Sequence, residues 1–317
     1  MRFLPTAEQR AFAASLDAML SAAEVPSAVR AWGAGEHAAG RALWSRIAGA
    51  GVFALAVREE HGGVGPLPVE LAVAFVELGR HAVPGPLVET VLAAALLSGD
   101  TAKEYGPRLA EGETMATVGA PFALDGDAAD VVLALREGQL WRTHGCEPRV
   151  RPSLDPARGL AVPLPGGELL SAQVPSSALD LARLVTAAQC LGVGLALLDR
   201  TVAYVGQRVQ FGVPVGSFQA VKHQLADVKV ALEFARPMVF GAAVTLDPAD
   251  VAAAKVLAGE AAYRAARTAL QLHGAIGYTA EYDLSLWFTK AVALRTAWGS
   301  PARCRAAVLG VSGDRRS

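Results

Sequence analysis

The chain has 317 residues, 52% of them apolar, and a formal net charge of −1. That length supports two or three compact units around a large core, and the balanced charge argues against a nucleic-acid partner or an anionic membrane surface. Cys146, Cys190 and Cys304 lie far apart with no C-x-x-C spacing, which predicts neither a disulfide frame nor a zinc site, and a reducing, cytoplasmic setting.

The N-terminus, MRFLPTAEQRAFAASLDAML, has the polar interruptions of an amphipathic helix and lacks the unbroken apolar core of a signal peptide. No run of 18 apolar residues occurs, so no membrane span is expected. Residues 6 to 110 read as helices. Thr6 and Gln9 form a capping box for the first. Trp44, Ile47 and Ala48 share one face of another, which runs into glycines at 49 and 51. Residues 57–65, VREEHGGVG, form a glycine turn that matches neither G-x-G-x-x-G nor a P-loop. Residues 69–78 predict a further helix, and Pro84, Gly85 and Pro86 break the chain before one over 87–97.

Residues 113–173 change character. Short β-like runs at 131–135, 139–141 and 159–162 are separated by Gly, Pro and Asp, which predicts a small β-domain. From Ser176 the helical period returns. Leu184, Ala188, Leu191, Leu195, Leu198, Val202 and Val205 recur at steps of four and three. So do Val221, Leu225, Val228, Leu232, Ala235, Val239 and Ala242, the pattern of antiparallel bundle helices. Further helices are expected over 248–273 and 282–294 and after Pro301, a favoured first helical residue. The chain is therefore mainly α with a small β middle domain: a helical domain over 1–112, a β-domain over 113–173 and a helical bundle over 174–317.

The two long bundle helices meet at YVGQRVQFGVPVGSFQAVKHQLADV, residues 204–228. Gln207, Arg208, Gln210, Phe211 and Gln219 crowd a helix end and a short loop, where ligands tend to be held. Read locally, this is a polar, solvated hairpin tip. The string R-x-Q-F-G-x-P-x-x-x-F-Q-x-V-x-H-x-L-A-D, however, closely resembles the signature of the acyl-CoA dehydrogenases, flavoproteins that desaturate acyl thioesters. Two further stretches support the resemblance. One is W-x-x-x-A-x-x-G-x-x-A-L-x-x-x-E-E-x-G-G-x-G, from Trp44 to Gly65. The other is QLHGAIGYTAE, from Gln271 to Glu281, which is similar to Q-x-x-G-G-x-G-[YF]-x-x-E with Ala275 in place of the second glycine.

The resemblance implies an N-terminal helical domain, a β-barrel-like middle domain and a C-terminal four-helix bundle, with FAD as cofactor and acyl-CoA as substrate. It implies that Arg208, Gln210, Phe211 and Gln219, with Gln271, His273 and Gly274, bind the pyrophosphate and adenosine half of an FAD seated mainly in a neighbouring subunit. An electron-transfer flavoprotein is the implied acceptor. The middle domain is shorter than the family's and lacks its T-E-P-x-x-G-S-D and W-I-T-N segments, which suggests that this chain's own flavin pocket is incomplete.

Desaturation needs a positioned carboxylate to remove the α-proton. The family's two positions for that Glu align with Trp298 and Ala182 here. From Ser176 onward, Glu233 and Glu260 read as paired or solvated mid-helix residues, Glu281 as part of the common motif, and Asp180 as a common family position. His61, His223 and His273 lie at no metal-ligand spacing from carboxylates or cysteines, so no metal is expected. Three readings follow: a base-less subunit working with a second acyl-CoA dehydrogenase-family subunit, of the kind used on steroid side chains; a self-sufficient homo-oligomer with a relocated base such as Asp180; or a non-catalytic scaffold.

Overall fold

A computed structural model describes residues 5–148 and 150–310. Six helices come first: α1 (Ala7–Ser21), α2 (Val25–Gly33), α3 (Ala38–Gly49), α4 (Pro68–Arg80), α5 (Leu87–Leu96) and α6 (Gly99–Ala110). The capping box is present: Thr6 Oγ1 accepts from Gln9 N at 3.2 Å, and Gln9 Oε1 accepts from Thr6 N at 2.9 Å. Between α3 and α4, residues 57–65 form a turn whose Gly63 and Gly65 pack against the carbonyls of Val57 and Leu55. A Cβ at either glycine would lie 2.0 Å from the facing oxygen, so the turn requires glycine there.

The chain then forms β1 (Ala116–Gly119), β2 (Ala123–Leu124), β3 (Val131–Arg136), β4 (Gln139–Arg142), β5 (Leu160–Ala161) and β6 (Glu168–Ser171). The main sheet runs β1-β3-β4-β6, with β1 parallel to β3 and the other pairs antiparallel. β2 and β5 make a separate two-stranded ribbon. The sequence runs at 131–135, 139–141 and 159–162 therefore mark β3, β4 and β5. The remaining strands are two to four residues long, too short to leave a legible alternation.

The rest is helical: α7 (Ser176–Gln207), α8 (Gln219–Thr245), α9 (Pro248–His273), α10 (Leu284–Thr296) and α11 (Pro301–Val308). A hairpin of β7 (Val209–Gln210) and β8 (Val213–Pro214) joins α7 to α8. α7 is the axis of the molecule, packed against α4 and α5 on one side and α8, α9 and α10 on the other. It is the one described helix long and apolar enough to cross a membrane, and 94% of its apolar window is buried inside the fold, as befits a core helix. The expected single seam is too narrow for such a helix. Val202, assigned to that seam, is 48% exposed, while residues off it such as Val185, Val193 and Leu197 are fully buried. Glycines set the closest approach: a Cβ on Gly192 would lie 1.9 Å from the Val76 carbonyl oxygen, and one on Gly79 2.2 Å from that of Gln189. α4 and α7 thus meet backbone to backbone.

Candidate functional site

Two motif segments converge at one end of the bundle. Tyr204, in the last turn of α7, stacks on His273 at the end of α9 with ring centroids 4.1 Å apart, and its hydroxyl lies 3.5 Å from the His273 carbonyl. His273 is itself buried, with Nδ1 donating to the Ala269 carbonyl at 2.8 Å. Burial pushes its pKa below the usual imidazole value, so the ring is neutral. Of the seven residues implied in dinucleotide binding, His273 alone lies inside; Arg208, Gln210, Phe211, Gln219, Gln271 and Gly274 are exposed.

The hairpin tip is strained. Phe211 and Gly212 have φ of +54° and +80°, the positive pair that a two-residue type I′ turn demands. Glycine meets that demand freely, but phenylalanine does not. The Phe211 ring is nevertheless 92% exposed, touching Phe218 edge-on at 6.3 Å. The tip thus combines a left-handed, solvent-facing aromatic with the exposed donors Arg208, Gln210 and Gln219 nearby in the sequence. Gly274, at φ +62° and ψ −138°, occupies a region open essentially to glycine and turns the backbone next to Gln271. A groove between α8 and α9 continues from Gln271, Gly274 and Tyr278 past Arg267 and Arg264. These two arginines lie one and two turns before Gln271, and the sequence motifs do not mark them.

A second feature lies deeper. A cavity of ≈ 970 Å³ opens between the β-domain and α10–α11, walled by Phe122, Leu135, Leu179, Trp298, Arg158 and Glu89 among others. Trp298 stands on the α10–α11 turn at φ +54° and is held on three sides. Its carbonyl accepts from Arg183 Nε at 3.2 Å, and its indole N–H donates to Glu89 Oε1 at 2.9 Å. The next carbonyl, that of Gly299, accepts from Lys255 Nζ, a buried ammonium that also bonds the carbonyls of Leu294 and Arg295 at 3.0 Å. Ala182, the other position where the family's base would stand, is buried. Asp180 is 4% exposed and paired with Arg183. Glu233 faces Arg236 and Glu260 faces Arg295, as expected of paired carboxylates.

Glu89 is the carboxylate the sequence reading missed. It is 3% exposed and lines the cavity, and its Oε2 has no hydrogen-bond partner among the described residues. Burial raises its pKa, while the Arg158 charge and the Trp298 N–H pull the other way. The signal was a single acid in the apolar string LVETVLAAAL, outside the stretch searched for a base. Elsewhere Asp17, Glu77 and His81 bring ligand atoms within 4.8 Å of one another. His81 already lies 2.8 Å from Asp17, and Glu77 faces Arg80 at 3.6 Å, so the group is an ion-paired cluster.

The exposed donors of the hairpin and the Gln271–Gly274 turn suit the phosphates of a dinucleotide, with Arg208 as a fixed fork. The cavity wall near β1 and β2 offers Ala120, Phe122 and Leu124, side chains without hydrogen-bonding groups for a flavin ring.

This combination of helical domain, small β-domain and helical bundle is that of a class of flavin-dependent oxidoreductases. Residues 6–113 match the acyl-CoA dehydrogenase N-terminal domain and residues 172–308 the acyl-CoA dehydrogenase C-terminal domain. Acyl-CoA dehydrogenase IpdE2 of Mycolicibacterium smegmatis is 38% identical over 84% of this chain and 86% of its own length. IpdE2 of Mycobacterium tuberculosis is 38% identical over 84% and 85%. The chain belongs to the acyl-CoA dehydrogenase family, oxidoreductases acting on CH–CH bonds, and its cofactor is FAD. Among solved structures, the ChsE4-ChsE5 complex from Mycobacterium tuberculosis aligns over 100% of both chains with a TM-score of 0.83 at 23% identity. Butyryl-CoA dehydrogenase from Megasphaera elsdenii aligns over 98% and 99% with a TM-score of 0.83 at 22% identity. At those identities the likeness is one of fold.

Proposed function

We propose that this chain is the base-less subunit of a heteromeric acyl-CoA dehydrogenase. It lends Arg208, Gln210, Phe211, Gln219, Gln271 and Gly274 to an FAD seated mainly in a second subunit of the same family. That partner supplies the catalytic Glu and most of the thioester pocket. The observation that carries this reading is the split itself. Arg208, Gln210, Phe211, Gln219, Gln271 and Gly274 face outward, while the positions that the resemblance assigns to the base hold Trp298 and Ala182. ChsE4-ChsE5, a fold neighbour, is itself a complex of two named chains.

In this reading FAD, when bound, would supply the hydride acceptor for the β-carbon of an acyl-CoA. This chain's residues bind and orient: Arg208 offers parallel N–H donors to phosphate oxygens, Gln210 and Gln219 add neutral donors, and the bare backbone at Gly274 allows close approach. His273 stays beneath them, packing Tyr204 so that the hairpin and the Gly274 turn keep their spacing. A cytoplasmic electron-transfer flavoprotein would then reoxidise the flavin.

Arg208→Ala in the co-purified complex tests the reading. A charge-assisted hydrogen bond contributes about 1.5–3 kcal/mol, so FAD should dissociate roughly 10- to 150-fold more readily, with the two chains still together. Full flavin retention in that variant, or full flavin loading and desaturase activity of the chain purified alone, would refute it.

A further inference from the structure

The Glu89 carboxyl is buried, lines the cavity and has one oxygen to spare. Its Oε1 takes the Trp298 indole N–H, and its Oε2 has no partner among the described residues. Arg158 lines the same cavity, and its side chain makes no hydrogen bond or ion pair among the described residues. Its charge nevertheless acts on Glu89. Leaving Glu89 Oε2 buried is costly, because that oxygen has given up water without gaining a partner among the described residues. The remaining wall is mixed, with Phe122, Leu135 and Leu179 beside Ser153 and Thr296. Such a cavity suits a ligand with both an apolar part and a polar oxygen.

We propose that this cavity binds an acyl thioester whose acyl part carries a hydroxyl or carbonyl oxygen, with Glu89 and Arg158 recognising that oxygen. A hydroxyl can accept from Arg158 and donate to Glu89; a carbonyl can accept from Arg158 and from the carboxylic acid form of Glu89. The proposal rests on the family reading for the thioester, but it needs no turnover in this cavity. It also explains why an acid persists in so apolar a helix. A site built around a buried, unpartnered carboxyl oxygen rejects a ligand that leaves it unanswered.

The test is binding of decanoyl-CoA and 10-hydroxydecanoyl-CoA to the complex of this chain with its partner, measured by calorimetry. Any site on the partner is common to all preparations, so differences between variants report this cavity. The hydroxylated probe should bind here at least roughly 10-fold tighter than the plain one. Glu89→Leu should abolish that preference, Glu89→Gln should keep most of it, and Arg158→Met should reduce it. The Arg158 variant provides a separate readout should Glu89→Leu misfold. Equal binding of the two probes by the parent complex, or a preference untouched in both Glu89→Leu and Arg158→Met, would overturn the proposal. So would loss of turnover of both probes alike in Glu89→Gln, because that result would make Glu89 a proton acceptor. In each case, co-purification of two chains with FAD bound leaves the subunit reading standing on its own.

Discussion

At Trp298 three restraints meet: Arg183 on its carbonyl, Glu89 on its indole and Lys255 on the carbonyl that follows. In the proposed reading this large ring stands where the family's base would, and its neighbours hold it in place. Arg158 influences a second buried acid as well. Asp125 is 2% exposed, and burial pushes its pKa from 3.8 up to about 7 against the opposing pull of Arg158. The folded chain therefore keeps a proton that the unfolded chain has released between those two values. Stability falls as pH rises across that window and levels off above it. Asp125→Asn should flatten this fall in thermal unfolding followed from pH 4 to pH 8. The amide oxygen can still accept from Gly159 N, as Oδ1 does now at 2.7 Å, and Asn tolerates the φ of +49°. Some slope should remain, because burial also raises Glu77 to about 7.

At the scale of elements, the β7–β8 hairpin and the α4–α7 contact make opposite demands on side chains. At Phe211 a ring is kept although the backbone would favour glycine, at a cost of about 1–2 kcal/mol for a left-handed residue. Phe211→Gly should leave the stability of the free chain within about 1 kcal/mol of the parent, because relief of that strain offsets the entropy of glycine. The same variant should weaken FAD retention in the complex; unchanged retention would make the ring ornamental to binding. At Gly192 no side chain fits. Gly192→Val should cost about 3 kcal/mol or more, the upper range for overpacking, because the obstacle is the Val76 carbonyl and not a movable side chain. A cooperative unfolding curve unchanged in that variant would mean that α4 and α7 separate easily. The long helices and their ends were legible from period and caps: Thr6 with Gln9, Pro248 and Pro301 mark starts that the structure keeps. The outward turn of Val202 was not legible, because a helix packed on both sides has no single stripe.

For the whole molecule, the proposed subunit reading places function in an assembly. Flavin counting on the co-purified complex should give one FAD per pair of chains; one FAD per chain would mean that this chain also seats its own. The local sequence by itself determined the order of helical, β and helical segments and the RVQFG and QLHGAIG strings, because periodicity, caps and glycine turns act over a few residues. It also carried the expectation of a missing base, which rests on residue identity at two motif positions. Only the tertiary structure decided that His273 lies inside while Arg208 and Gln271 lie outside, which is a matter of which helix face meets a neighbour. Only it brought Glu89 of α5, Arg158 of the β-domain and Trp298 of the bundle to one cavity. Burial and unanswered hydrogen bonds depend on contacts between residues far apart in the chain, and no short-range pattern records them.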